Sequence, residues 1–130
     1  MIVADTHALV WWLADPTRLT AKARRSLDAA GVDSVIVSAA TLLELATLLR
    51  RGRLSLSVPA DAWLADLNQI AEVRVEPVTG DIAIRAGSFD EQLPGDPIDR
   101  LIVATAMSLG APLVTADNRL RRISGLRTIW

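Results

Sequence analysis

The chain has 130 residues, 51% of them apolar and 22% charged, which fits one globular domain and excludes a disordered chain. Fifteen acids against fourteen bases give a net charge of −1, which excludes a grossly basic nucleic-acid binder but leaves room for a local basic surface. With no cysteine and one histidine, disulfides, thiol catalysis and zinc sites built from several imidazoles are excluded as well.

Ile2-Val3-Ala4 predicts a buried strand, and residues 6–13 a helix that Asp15-Pro16 breaks. A second helix is predicted over residues 20–30, with Gly31 at its C-terminal cap. Val35-Ile36-Val37 is a β-branched strand; Ser38 then caps a helix running to about Arg51, which Gly52 closes. Residues 54–58 carry no clear pattern, and Pro59 is placed to open a helix reaching about Ile70. Val73, Val75 and Val78 suggest a third strand, which Pro77 assigns to an edge or a strand end.

Residues 79–88 read as a helix, and Asp96-Pro97 opens a stronger one that Gly110 closes. Leu113-Val114-Thr115 is a fourth strand, followed after Asp117 by an Arg-rich helical turn and a terminal strand over residues 127–130. Short apolar strands alternating with helices imply a single α/β domain spanning residues 1–130, its parallel sheet covered on both faces. Ligands in such sheets bind outside the carboxyl ends of the strands. The longest apolar run, Ala8 to Ala14, is far short of the ~20 residues that span a bilayer, and the first residues lack the basic stretch of a signal peptide. A soluble cytoplasmic protein is therefore expected.

Asp5 follows the first strand and Asp117 the fourth, so each either caps the next helix or faces the binding edge. Glu44 lies within an apolar helix whose i±3 and i±4 positions are Ala40, Thr41, Thr47 and Leu48. None is basic, so the usual helix-surface ion pair is unavailable: Glu44 occupies a narrow solvent stripe or meets a bound cation. Asp96, Pro97 and Asp99 form a capping arrangement, in which Asp99 can cap, bind metal, or both. Clustered carboxylates resist full ionisation without a cation. Carboxylate and water ligands without His or Cys select Mg²⁺ or Mn²⁺, and Mg²⁺ chemistry points to phosphate esters.

Val3-Ala4-Asp5-Thr6-His7-Ala8-Leu9-Val10-Trp11-Trp12 resembles the opening of PIN domains, in particular the ribonuclease toxins of VapC type. The stretch from Ser38 to Ala46 with Arg51-Gly52-Arg53-Leu54, the stretch from Asp96 to Ala104, and Leu113-Val114-Thr115-Ala116-Asp117 are similar to three further blocks in the same order. The resemblance implies a three-layer α/β/α fold with a five-stranded parallel sheet in the order 3-2-1-4-5. It implies a metal-dependent endoribonuclease in which Asp5, Glu44, Asp99 and Asp117 are catalytic and hold Mg²⁺ or Mn²⁺, so that an activated water cleaves RNA. Asp96 would be a neighbour of that set, with the hydroxyls of Thr6 and Thr115 beside the acids. A homodimer and a cognate antitoxin are implied as partners. Two departures stand out: Leu43 where close relatives often carry an aromatic, and Leu93-Pro94-Gly95 where they often have His. The second bears on substrate contacts.

His7 is read as structural. Trp11, Trp12 and Trp63 can stack bases, but Trp11 and Trp12 lie in an apolar helix and are assigned to core or subunit interface. Arg50, Arg51 and Arg53 complement a helix dipole, whereas Arg119, Arg121 and Arg122 start two residues from Asp117 and are the candidates for RNA phosphates. All bases but Lys22 are arginine, which suits a phosphate-facing rim or reflects base composition. Two alternatives have a different mechanism. A phospho-acceptor domain needs a Lys after a strand near the acids, and Lys22 is mid-helix. An inactive PIN-like RNA- or protein-binding module does not need the complete acidic set.

Overall fold

The structure, a computed structural model, describes residues 1–56, 59–93 and 95–130, and of Ala60 its backbone only. Ser57 and Val58 of the unassigned stretch 54–58, and Pro94 of the loop before Asp96, lie outside the described residues. In chain order the elements are β1 (Ile2–Ala4), α1 (Thr6–Ala14), a 3-10 turn (Pro16–Arg18), α2 (Ala21–Asp28), β2 (Val35–Ser38), α3 (Ala39–Arg50) and α4 (Ala60–Leu67). They continue with β3 (Val73–Glu76), α5 (Gly80–Ser88), α6 (Pro97–Leu109), β4 (Leu113–Val114), α7 (Asn118–Arg121) and β5 (Thr128–Ile129).

The five strands form one parallel sheet in the order β3-β2-β1-β4-β5. The strands are short, and period-2 alternation sends their residues to two cores. Ala4, Val35, Val37 and Val114 pack with α1, α2, α3 and α4 on one face. Val3, Ile36 and Leu113 pack with Ile102, Val103 and Ala106 of α6 on the other. Both layers are nearly dry: each of these strand residues is fully buried. Among the described residues no helix is long and apolar enough to cross a membrane.

Caps set most of the boundaries. Thr20, Ser38, Thr79 and Asp96 each accept a backbone N–H at the start of α2, α3, α5 and α6. Gly52 and Gly110 follow α3 and α6 with φ of 65° and 61°, the left-handed conformation that glycine adopts without strain. β3 lies at the sheet edge and stops before Pro77, as its missing N–H requires. Several ends differ from the sequence reading: β3 stops at Glu76, short of Val78, β4 stops at Val114, short of Thr115, and two helices end early. The α2 helix stops at Asp28 with Ala29 as its cap, and the left-handed residue of the following loop is Asp33 (φ 54°), not Gly31. The α4 helix starts after Pro59 and ends at Leu67, three residues early.

The loop between α5 and α6 is tied by one side chain. The Arg100 guanidinium donates to the carbonyls of Ala86 (3.1 Å), Phe89 (2.9 Å), Asp90 (3.1 Å) and Leu93 (3.5 Å). These bonds satisfy carbonyls that the end of α5 leaves open, and they fix where α6 begins.

Candidate active site

The strand order reverses between β1 and β4, and at that point the carboxyl ends of adjacent parallel strands leave a crevice. A cavity of about 880 Å³ opens there. Asp5, Glu44, Asp99 and Asp117 all line it, and so do Thr6 and Asp96. Four separate elements bring the acids together: Asp5 follows β1, Glu44 sits on α3, Asp99 on the first turn of α6, and Asp117 just beyond β4.

Each acid is held differently. Asp5 is buried and its Oδ1 accepts the Ala8 N–H at 2.7 Å, capping α1. Burial pushes its carboxyl above the usual range, against the hydrogen bonds from Thr115 and the Ala8 backbone that pull the other way. Asp99 is pushed up to about 6, mainly by burial and then by the charges of Asp96 and Glu44. Asp117 moves down, because Arg119 grips it: Nη2 lies 2.6 Å from Oδ2 and Nε 3.1 Å from Oδ1. The same Nη2 lies 3.7 Å from Asp99 Oδ2, so one exposed guanidinium spans two acids. Glu44 has neither a hydrogen bond nor an ion pair among the described residues, as its helix context predicts.

Of the other candidates, Asp96 is the α6 cap, its Oδ1 accepting the Ile98 N–H at 2.8 Å. Thr115 is fully buried and its hydroxyl accepts the Asp117 N–H at 3.0 Å, which orients the loop beyond β4. The Thr6 hydroxyl is buried at the cavity wall with no hydrogen-bond partner. Arg119 lines the cavity but Arg121 and Arg122 do not; Arg121 donates to Asn118 Oδ1 at 3.2 Å instead. Two residues along a helix is about 200° of rotation, which takes Arg121 away from the face that Arg119 occupies.

Three features were not assigned to the site from sequence. His7 is exposed on the cavity wall and is not a core histidine. Trp11, Trp12 and Trp63 all pack against the core, but of the three only Trp11, half-buried, also lines this wall, together with Arg18. Arg51 and Arg53, read as helix-dipole partners, also reach the cavity. The signal for Arg51 is legible in the helical period: Glu44, Thr47, Leu48 and Arg51 share one face and all line the cavity. Arg18 has no such signal, because a 3-10 turn folds it back over α1.

The donor chemistry fits a hard divalent cation. The floor offers carboxylates and one unsatisfied hydroxyl, and burial together with like charge holds two of the acids above their usual range. Among the described residues no group of three or more His, Cys, Asp or Glu side chains is arranged to hold an ion by itself. Mg²⁺ commonly takes only one or two carboxylates directly and keeps several waters.

Comparison with known proteins agrees with this geometry. A curated relative, ribonuclease VapC22 of Mycobacterium tuberculosis (strain ATCC 25618 / H37Rv), is 39% identical over 132 residues, covering 99% of this chain and 98% of that one. Among solved structures, VapBC-1 from nontypeable Haemophilus influenzae superposes with a TM-score of 0.70 at 22% identity, covering 98% of this chain and 96% of that one. The VapC20 toxin of Mycobacterium tuberculosis, described as cleaving the sarcin-ricin loop, gives 0.63 at 24% identity over 91% of each chain. The PIN domain model matches residues 2–126, which takes in every strand but the last and all four acids, and on that match and the VapC22 identity the chain belongs to the PIN domain family.

Proposed function

We propose that this chain is a ribonuclease that hydrolyses RNA phosphodiester bonds with Mg²⁺ or Mn²⁺, and that it is the toxin of a VapBC-type toxin–antitoxin pair. The observation that carries the reading is the convergence of Asp5, Glu44, Asp99 and Asp117 from four elements on one cavity with an arginine rim. Ribonucleases with a PIN domain are generally dependent on a divalent metal. Identity to VapC22 supports the ribonuclease activity, and the toxin–antitoxin complexes among the structural neighbours support a cognate antitoxin. The homodimer is carried by the family resemblance.

In this reading the four acids would hold the ion between them, one or two directly and the others through its waters. Once bound, the ion supplies a water of lowered pKa and positive charge beside the phosphate oxygens. Asp117 stays ionised because Arg119 stabilises its charge. Thr115 fixes the loop that carries Asp117, and the Asp96 cap fixes the turn that carries Asp99. Arg51, Arg53 and Arg119 offer guanidinium forks to the RNA backbone around the acidic floor.

The decisive experiment measures RNA cleavage by purified protein with Mg²⁺, with chelator, and with chelator followed by excess Mn²⁺. Cleavage is expected in the first and third conditions only. Asp5→Asn is expected to abolish it while the circular dichroism spectrum stays unchanged. Cleavage that persists under chelation or in Asp5→Asn overturns the metal mechanism. No cleavage in any condition, with RNA still bound, favours the inactive binding module.

A further inference from the structure

Two neighbouring tryptophans on α1 have different fates. The Trp12 indole N–H donates to Asp28 Oδ1 at 2.9 Å, and the ring packs into the core. The Trp11 N–H has no partner among the described residues, and its ring stands in the cavity wall. Around Trp11 the chain gathers more π surface: His7 at 5.6 Å between ring centroids, tilted by 51°, and Trp130 at 5.8 Å, tilted by 52°. The Arg18 guanidinium carbon lies over the Trp11 ring, 4.6 Å from its centroid. Arg18 is exposed and has no carboxylate within ion-pair distance among the described residues.

Trp11 and Trp130 also pack against the core, but core packing does not explain the exposed guanidinium over the Trp11 ring or the ring's edge on the cavity. An ion pair does not hold Arg18; the indole face does, by cation–π attraction, and so the guanidinium is pre-oriented before any ligand arrives. The guanidinium carbon lies over the Trp11 ring, and Arg18 itself lines the cavity. Guanidinium planes and aromatic rings are the surfaces on which unpaired bases stack. A phosphate alone would use the charge of Arg18 and leave the rings without a role. The wall also begins beside the acids: His7 is two residues beyond Asp5, and Trp11 is roughly 9 Å from Asp5 along the helix axis at about 1.5 Å per residue. Arg51 and Arg53 face the same cavity for the backbone.

We propose that His7, Trp11 and Arg18 form a base-binding subsite, which takes an unpaired nucleobase next to the scissile phosphate. Arg18 and His7 contact the base, and Trp11 is a positioning residue that holds Arg18. This subsite rests on the ribonuclease reading of the acidic floor.

The test compares two uncleavable probes, a 2′-O-methyl adenosine hexamer and a sugar-phosphate hexamer of equal charge without bases. Binding to the wild-type protein is followed by fluorescence anisotropy with chelator present. The wild type is expected to prefer the base-bearing probe by about tenfold or more. Trp11→Ala and Arg18→Lys are expected to lose most of that preference while binding the baseless probe within about twofold of wild type. Trp11→Phe, which keeps a ring under Arg18, should recover part of it. Arg18→Lys retains the charge and the fold, so it answers the question even if Trp11→Ala unfolds. A wild type that cleaves RNA but shows no preference, or variants that keep it, overturns the subsite alone; a wall that seats a protein side chain gives this second result. A wild type that neither cleaves RNA nor binds either probe overturns the ribonuclease reading with it.

Discussion

Two arginines lie near Asp99, and the regions they organise behave in opposite ways. Arg100, the next residue in the chain, turns away from the cavity and spends its donors on four backbone carbonyls between Ala86 and Leu93. Arg119 comes from α7, stays exposed, and grips carboxylates. Carbonyls of a loop have no alternative partner once the loop is packed, so the Arg100 junction is part of the scaffold. Carboxylates at a cavity exchange one cation for another, so the Arg119 contacts belong to the chemistry. A sequence reading that counts charges treats the two alike. Their partners separate them.

The largest effect separates floor from scaffold. Glu44→Gln is expected to lower RNA cleavage at least about a hundredfold while the melting temperature barely moves, because Glu44 has no partner to lose. A large loss of stability would make Glu44 structural and break the contrast. Arg100→Ala is the converse. Removing donors from several carbonyls is expected to cost about 2–3 kcal/mol and to lower the melting temperature by roughly 10 °C. Activity per folded molecule should survive at low temperature. Arg100→Lys, with a single point charge in place of a fork, should recover part of the loss.

A smaller effect is expected at Arg119. Exposed ion pairs add little stability, so Arg119→Ala should leave the melting curve nearly unchanged. Isothermal titration should show Mn²⁺ binding severalfold more tightly, because the guanidinium no longer competes for Asp99 and Asp117, while RNA binding weakens. Weaker Mn²⁺ binding would show that Arg119 organises the acids and does not compete with the ion. The smallest effect concerns pH. A carboxyl raised to about 6 in the fold binds a proton more tightly there than in the unfolded chain, where 3.8 applies. With chelator present, Asp99 should therefore add stability as pH falls from about 7 toward 4, and Asp5 should act in the same direction. Asp117 is shifted down, so its stabilisation is lost only as pH falls below the ordinary carboxylate range. Asp99→Asn should flatten the melting temperature between pH 7 and 5.

The floor was legible in the sequence because each acid has a local signature. Asp5 and Asp117 follow apolar strands, where the strand-end rule puts ligands. Glu44 interrupts an apolar helix without a basic neighbour. The walls were not legible, because tertiary folding creates them. Arg18 reaches Trp11 through a 3-10 turn, and nothing in Pro16-Thr17-Arg18 announces a cation–π contact. Sequence proximity to Asp117 does not decide which arginines reach the cavity: Arg119 lines it, whereas Arg121 and Arg122 do not. Local glycine preference failed at Gly31 for a related reason: backbone bonds from Asp33 to Ala71 and from Ser34 to Gly31 set the entry to β2 and place the left-handed residue at Asp33.

The strand order also sets when the acidic floor is completed as the chain is made. Asp5 follows the first strand, yet its partner across the crevice waits beyond β4, the strand that pairs with β1 on that side. A nascent chain that stops at α6 has the first strand, the Glu44 helix and much of the core, but not the fourth acid or the wall residue Trp130. Products that stop there therefore lack the complete acidic floor. The order of the strands thus places assembly of the floor after that of the core that supports it.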